Sequence, residues 1–373
     1  MRFRKDMVLK VAIDNQIFLR QKFGGVSRYY CELAKALTLK EEMLIEICSG
    51  IYINDHLRMS DLVSGNLYIP GKLERLGFHK IFDKMSNRLA NSQLINFKPD
   101  IIHETFFSKK DLWNSKAMRV LTVFDLTREL IQNDSSKISR LGFALNRAHA
   151  VICISDSTKN DLLRVFDIDP DKVSVIHLGV NEIFKHSLFN KISRKQNRLL
   201  FVGQRQDYKN FENFIKAFAK SSYLTDSFKI EIFGGGKFSN NENCLLENLG
   251  LLNKVIKTDG DDLYLSEAYR TATALIYPSL HEGFGLPLVE AMASGCPIIS
   301  SDNRALTEVA GNAAAYFDGT SIDAIKHSLE ANLDSQENLK KLSELGFIRS
   351  KLFSWEKCAD ETALVYGSLM NKT

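Results

Sequence analysis

A chain of 373 residues, 45% hydrophobic and 25% charged, is too long for one ordinary core and has the apolar content for about two, which excludes a disordered or fibrous protein. Its net charge of +4 is modest and no nucleic-acid recognition motif accompanies it, so a nucleic-acid binder is disfavoured. The charge is uneven: residues 1–186 hold 28 Lys and Arg against 22 Asp and Glu (+6), and residues 187–373 hold 21 against 23 (−2), so the first half suits an anionic partner or carries solvated surface charge.

In chain order, the first half alternates short β-rich runs with amphipathic stretches. Strands are predicted at Val8–Ile13, Leu44–Cys48, Ile101–His103, Val120–Phe124, Val151–Ile154 and Val173–His177, with helices such as Ser27–Leu37 and Thr158–Val165 between them. That alternation reads as βαβ units around a parallel sheet. Met1–Lys10 is basic, but Asp14 and Asn15 break the apolar stretch after it, so no signal peptide is expected. No window approaches the ~20 apolar residues of a membrane span. The expected location is cytoplasmic, with peripheral contact at the inner face of the cell membrane left open. Lys72–Arg88 bears on that contact, mixing Leu73, Leu76, Ile81, Phe82 and Met85 with Lys72, Arg75, Lys80, Lys84 and Arg88. Such a helix packs on its own sheet with long side chains reaching into water, or lies on anionic lipid.

After the first strand comes Phe23-Gly24-Gly25-Val26-Ser27. Two glycines there let the backbone approach a ligand at the next helix N-terminus, although a plain tight turn uses them equally well. The six cysteines (Cys31, Cys48, Cys153, Cys244, Cys296, Cys358) are far apart, with no CxxC and no nearby histidine pair. They read as scattered buried thiols rather than a zinc site or a disulfide framework.

Lys185–Asn197 is polar with little periodicity and reads as a linker. Strands then restart at Leu199–Val202, Lys229–Phe233, Ala274–Tyr277 and Ile298–Ser300, and Trp355–Met370 reads as a helix capped by Ser354. The expected architecture is α/β: two Rossmann-like doubly wound domains, residues 1–186 and 187–352, with a cleft between them, followed by a terminal helix in 353–373. In such sheets ligands sit at the carboxyl ends of the strands.

The most informative run is Glu282-Gly283-Phe284-Gly285-Leu286-Pro287-Leu288-Val289-Glu290, which follows the apolar strand ending at Tyr277. Strand, glycine loop and helix start together present backbone N–H groups and a positive dipole end to an anion. Glu282 precedes the helix and Glu290 lies about one turn inside it. A carboxylate accepts two hydrogen bonds from vicinal hydroxyls, so each suits a sugar ring on one side of a phosphate. A second run, Gly203-Gln204-Arg205-Gln206-Asp207-Tyr208-Lys209, also joins a strand to a helix. Arg205 and Lys209 can clamp a diphosphate there without a metal, guanidinium and ammonium meeting the charge that develops on the leaving group. Asp259-Gly260-Asp261-Asp262 has the letters of a D-x-D metal motif. Lys257 and Thr258 precede it, however, and an amphipathic stretch follows, so Asp261 or Asp262 as a helix N-cap is the better account and no metal is expected. Gly234-Gly235-Gly236 is a weak sign of a pocket wall.

On these motifs the chain resembles the retaining GT-B glycosyltransferases of the group 1, family 4 type, typified by bacterial mannosyl- and glucosyltransferases, over nearly its whole length. The resemblance implies Glu290 on the nucleotide ribose, Glu282 on donor-sugar hydroxyls, and the amides of Phe284, Gly285 and Leu286 near sugar and phosphate. It implies Arg205 and Lys209 on the diphosphate, with Gly203 beside them and Gly24 and Gly25 reaching toward it. It further implies an acceptor held mainly by the first domain, a terminal helix from Phe353-Ser354-Trp355-Glu356 crossing back onto that domain, retention of configuration, and no cofactor. One departure stands out: many relatives carry a His-Asp pair where this chain has Phe124-Asp125. Asp125 can still bind the acceptor hydroxyl or act as its base, while His103 with Glu104 offers a substitute at the acceptor, although a lone strand-end histidine is more often structural. The resulting expectation is transfer of a hexose, mannose favoured, from a GDP- or UDP-sugar to a saccharide or lipid-linked saccharide in surface polysaccharide or lipopolysaccharide assembly. Two alternatives are an epimerase or phosphorylase on the same fold and a non-catalytic nucleotide-sugar-binding partner.

Overall fold

The computed structural model describes residues 8–62, 67–69, 79–109, 111, 113, 115–126, 135–185, 197–205 and 207–371. The chain divides into two compact units, Met1–Gly179 with Trp355–Thr373, and Val180–Ser354. The division falls ahead of the polar segment read as a linker, of which residues 186–196 lie outside the described residues.

The strands of the first unit are β1 (Leu9–Ile13), β2 (Met43–Ile47), β3 (Ile51–Tyr52), β4 (Leu67–Tyr68), β5 (Ile101–Glu104), β6 (Met118–Val123), β7 (Ala150–Cys153) and β8 (Val173–Val175). Six form a parallel sheet in the order β2-β1-β5-β6-β7-β8, and β3 pairs with β4 apart from it. The inner strands are covered on both faces, which is why they read as unbroken apolar runs: Val11, Ala12, Ile13, Ile101, Ile102, Val151 and Ile152 are fully buried. From β1 the chain steps to one side to make β2, then crosses to the other to make β5 onward, so the strand order reverses between β1 and β5.

The helix Gly25–Leu37 buries Tyr29, Tyr30, Leu33, Ala34 and Leu37, the stripe that a 3.6-residue period places against a sheet. The terminal helix Trp355–Met370 belongs to this unit, and its Trp355 ring lies 6.1 Å from that of Tyr29. In the helix His79–Phe97, Ser86, Ala90 and Leu94 are buried while Lys84 and Arg88 face water. Within the basic amphipathic stretch itself Ser86 is buried, Phe82 is half-buried and Met85 is 47% exposed; residues 72–78 lie outside the described residues.

In the second unit the strands are β9 (Arg198–Val202), β10 (Lys229–Phe233), β11 (Val255–Thr258), β12 (Ala274–Tyr277), β13 (Ile298–Ser301) and β14 (Ala314–Phe317). Their order is β11-β10-β9-β12-β13-β14, all parallel, with the reversal between β9 and β12. Phe201, Phe214, Phe218, Ile230, Ile232 and Leu329 share one core cluster. Each such side chain contributes roughly 1.5–3 kcal/mol on burial, enough to make the strand ends a stiff platform. The edge strands β11 and β14 are additions to the sequence reading. All six cysteines are free; five are buried and Cys244 is exposed. Among the described residues no helix is long and apolar enough to cross a membrane.

Candidate active site

The loops after β9 and β12 leave the sheet at the strand reversal of the second unit, where a doubly wound sheet opens a crevice. Leu280 N donates to Tyr208 O at 2.8 Å. The buried Asn210 side chain donates to Pro278 O at 3.1 Å and Gly319 O at 2.7 Å. Asn210 itself has φ 59, a left-handed conformation that a short polar side chain tolerates better than most. These bonds hold the two loops together, and with them the charges they carry.

Lys209 Nζ lies 2.5 Å from Glu282 Oε1 and 3.3 Å from Tyr277 Oη. Both charged side chains are mostly shielded, at 15% and 12% exposure. Burial alone would lower the Lys209 pKa, but the adjacent carboxylate outweighs it and raises the value above the ordinary range. The ammonium is therefore charged at any physiological pH. The Tyr277 hydroxyl is pushed up by burial and by Glu282, and stays protonated.

Arg205 is turned elsewhere. Its Nε meets Glu242 Oε1 at 2.5 Å, Nη1 reaches Gly234 O at 3.3 Å, and Nη2 reaches Gly236 O and Lys237 O at 3.3 and 3.0 Å. The side chain is 3% exposed, and the ring of Phe238 sits 4.8 Å from its guanidinium carbon. The expected paired clamp is thus split: Lys209 faces Glu282, while Arg205 props up the glycine loop after β10. Gly235 shows why that loop needs glycine, since at φ +74 a Cβ would come within 2.7 Å of Gly203 O and 2.6 Å of Arg205 Nη1. Glu242 also closes a capping box with Ser239 on the helix Asn240–Asn248.

Gly285, at φ +89, is the N-cap of the helix Leu286–Ala293 and turns the glycine loop into it. Phe284 is buried edge-on against Phe353 at 5.7 Å, which fixes the loop's backbone while Leu286 opens the helix. Gly203 follows β9 at φ +115 with open space where a Cβ would lie. Glu290 is 4% exposed, and its Oε2 accepts from the buried Tyr269 hydroxyl at 3.1 Å. Tyr269, Tyr277, Asn210 and Glu242 were missed as site residues by sequence reasoning. The first two end an amphipathic helix and an apolar strand, where they read as core; Glu242 is 37 residues from Arg205, with no local signal joining them.

In the first unit, Gly24 and Gly25 start the helix Gly25–Leu37. Gly24 is extended (φ 172), and the space beside Gly25 is open to at least 4 Å. Asp125 is exposed just past β6. His103 and Glu104 require correction as acceptor residues. The His103 ring is fully buried, with Nδ1 2.7 Å from Tyr366 Oη and Nε2 2.7 Å from Thr122 Oγ1, and burial lowers its pKa to about 3. Both nitrogens are spent on the fold. Glu104, 2% exposed, accepts from Arg147 Nε at 2.9 and 3.1 Å and Nη2 at 2.5 Å, so it is half of an internal ion pair. Phe124 rests on Tyr29 and Tyr30 at 5.1 and 6.0 Å, completing an aromatic cluster in which a histidine would be a desolvated base.

Asp261 caps the helix Asp262–Thr271 by accepting from Tyr264 N at 2.9 Å, and Asp259 pairs with Lys257. The acidic run therefore serves the helix start and its neighbouring lysine.

Two doubly wound parallel sheets, with a glycine loop and helix start at the reversal of the second, are the architecture of the GT-B fold. Residues 23–183 match the family described as Glycosyltransferase Family 4 and residues 183–347 match Glycosyl transferases group 1; the chain belongs to this two-part glycosyltransferase family. Over 180 residues it is 33% identical to the O-antigen chain mannosyltransferase RfbU of Salmonella typhimurium, covering 47% of this chain and 48% of that one. It is 25% identical over 237 residues to the O-antigen chain mannosyltransferase B of Escherichia coli, covering 61% and 62%. Against the MMP alpha-(1->4)-mannosyltransferase of Mycolicibacterium hassiacum it is 30% identical over 223 residues, covering 58% and 53%. The matched part thus spans between 48% and 62% of these relatives' lengths. In fold the chain is similar to a sucrose-phosphate synthase from Thermosynechococcus elongatus, with a TM-score of 0.76 at 19% identity over 98% of this chain and 100% of that one. It is also similar to WaaG, a glycosyltransferase involved in lipopolysaccharide biosynthesis, with a TM-score of 0.69 at 17% identity over 95% and 98%.

Proposed function

We propose that this chain is a retaining hexosyltransferase that moves mannose from a nucleotide-diphosphate sugar to a saccharide or lipid-linked saccharide in surface polysaccharide or lipopolysaccharide assembly. The observation that carries the reading is the shielded Lys209–Glu282 ion pair at the strand reversal of the second unit, beside the helix that Gly285 opens. A lysine held cationic there meets the negative charge of a departing diphosphate, and the helix start adds backbone donors. When the diphosphate takes the ammonium, Glu282 is released to accept hydrogen bonds from donor-sugar hydroxyls. Glu290, held by the Tyr269 hydroxyl, binds the ribose diol. Arg205 contributes from the glycine loop, where one Nη1 hydrogen is left over from its four internal bonds. Asp125 serves the acceptor hydroxyl. Attack on the face from which the diphosphate leaves gives retention.

Mannose is favoured because the three curated relatives described above are mannosyltransferases, and two of them act on O-antigen chains. GDP-mannose is accordingly the first donor to try. Peripheral membrane contact fits a lipid-linked acceptor and the exposed Lys84 and Arg88. The test is a screen of purified chain against GDP- and UDP-sugars by thermal shift and slow donor hydrolysis, repeated with Lys209→Ala. One donor should stabilise the protein and be hydrolysed, and the variant should lose roughly 10²–10³ in turnover. Lack of any shift, or hydrolysis untouched in the variant, sinks the reading. Release of free sugar phosphate points to the phosphorylase alternative, and binding without hydrolysis or transfer points to a non-catalytic partner.

A further inference from the structure

At the amino-terminal ends of β5 and β6, away from the carboxyl ends where ligands of such sheets sit, the first unit has a cavity of about 550 Å³. Its apolar wall is made by Leu94 and Ile95 of the helix His79–Phe97, Met118 at the start of β6, and Met370 at the end of the terminal helix. Lys98 and Lys116 line it too.

The charges around it are not balanced. Asp100, the single acid among the described lining residues, is used by the fold: its Oδ2 accepts from Lys10 N at 2.9 Å. Its backbone also ties the strand starts together, donating to Lys10 O and accepting from Met118 N, both at 2.9 Å. Lys98 and Lys116 are exposed and meet no carboxylate among the described residues. Lys98 is also an unfavourable residue for its place. Its N–H donates to Leu94 O at 2.9 Å just past the last helical turn, at φ 52, in the left-handed region where glycine ends a helix with less strain. Among the described residues only Lys98 and Asn210 hold a positive φ without being glycine. The Asn210 side chain is fixed by two hydrogen bonds, whereas that of Lys98 makes none. The apolar wall is firm at its base and open at its rim: Leu94 is 2% exposed and packs in the core with Trp113, while Ile95 is 55% exposed.

We propose that this cavity binds a single-chain amphiphilic anion, its headgroup on Lys98 and Lys116 and its hydrocarbon tail on Leu94, Ile95, Met118 and Met370. A carboxylate or phosphate there compensates two ammonium groups that the chain leaves unpaired. Each tail methylene that leaves water for the apolar wall strengthens binding by roughly fourfold until the cavity is filled. The cavity shares no residue with the Lys209–Glu282 site, so the inference stands apart from the glycosyl-transfer reading.

The experiment titrates the full chain calorimetrically, below micelle-forming concentrations, with dodecyl phosphate, dodecanoate, octyl phosphate, neutral dodecyl maltoside and inorganic phosphate. At least one anionic dodecyl probe should bind tenfold or more tightly than both dodecyl maltoside and inorganic phosphate. Dodecyl phosphate should exceed octyl phosphate by at least tenfold. Binding of one anionic head alone identifies the group recognised, and binding of both identifies a general anion site. Lys116→Ala and Lys98→Gly should each weaken the anionic probe by roughly tenfold, with Lys116→Arg recovering most of the loss. Lys98→Gly carries a second readout: it relieves the left-handed strain, so it should raise the melting temperature by about 1–3 °C while binding falls, which separates a lost ligand contact from a damaged fold. Ile95→Asn should narrow the gap between the dodecyl and octyl chains. Anionic probes that bind no more tightly than dodecyl maltoside, affinity independent of chain length, or Lys116→Ala within twofold of wild type overturns the proposal.

Discussion

Replacing Glu242 by glutamine separates the loop-holding bonds of Arg205 from the diphosphate role proposed for it. The Arg205 guanidinium is neutralised by a carboxylate 2.5 Å away and bonded to three loop carbonyls. Burial would raise the Glu242 pKa, but the hydrogen bonds from Arg205 and Ser239 outweigh it and lower the value, so the carboxylate is ionised at neutral pH. Glutamine keeps the shape and the Glu242 N to Ser239 Oγ cap and removes the charge, but its one carbonyl oxygen can accept from only one of Arg205 Nε and Ser239 N, and it stays on Arg205 at the cost of the Ser239 N bond. Two unit charges ~4 Å apart interact by about 4 kcal/mol at an effective dielectric near 20. Glu242 is 19% exposed, so solvent screens part of this, and about 1–2 kcal/mol of freed positive potential reaches a bound diphosphate. Glu242→Gln should therefore tighten nucleoside diphosphate binding by about 5- to 30-fold. Arg205→Ala should do the opposite and cut turnover by roughly 10²–10³. It should also lower the melting temperature, because Gly234, Gly236 and Lys237 lose a donor. Calorimetric titration with GDP and UDP, beside donor-hydrolysis rates, reads both. If Glu242→Gln weakens binding as much as Arg205→Ala, the carboxylate positions the arginine rather than masking it, and the reasoning is refuted.

Other outcomes follow from single contacts. Burial lowers His103 to about 3 against an unfolded value near 6.5, so the stability held by its neutral form is complete above that value and lost as pH falls toward 3. Between pH 7.5 and 5 this amounts to about 2 kcal/mol, and urea unfolding of wild type against His103→Gln should show it missing from the variant; equal pH dependence in both contradicts it. Gly285→Ala puts a Cβ at φ +89 within 2.6 Å of Leu306 Cδ2, so it should cost about 1–3 kcal/mol in thermal unfolding and weaken donor binding; an unchanged melt argues against a fixed left-handed turn. Tyr269→Phe removes the donor to Glu290 and should raise donor KM by roughly 3- to 10-fold with kcat nearly constant. A fall in kcat instead would assign Glu290 to the transition state.

What could be read from the sequence is what is local to it. The inner strands are covered on both faces, so Leu199–Val202 and Ala274–Tyr277 announce themselves as apolar runs. The edge strand Val255–Thr258, with Ile256 44% exposed and Lys257 beside it, carries no such pattern. The glycine loop after β12 is legible for the same reason: Gly285 and the helix it opens are set by neighbours within a few residues. The partner of each charge is not local. Arg205 meets Glu242 from another βα unit, and His103 meets Tyr366 263 positions away. Residue type says that a side chain can hold a charge or a proton; only the tertiary partner says whether the fold has already used it. Of the three first-unit side chains assigned to the acceptor, His103 and Glu104 are buried in internal bonds, and Asp125 alone faces solvent. A base that must meet an incoming hydroxyl has to be reachable, and of the three only Asp125 meets that condition, which is why the proposed acceptor role is placed on it, with Phe124 fixed into the aromatic cluster behind it.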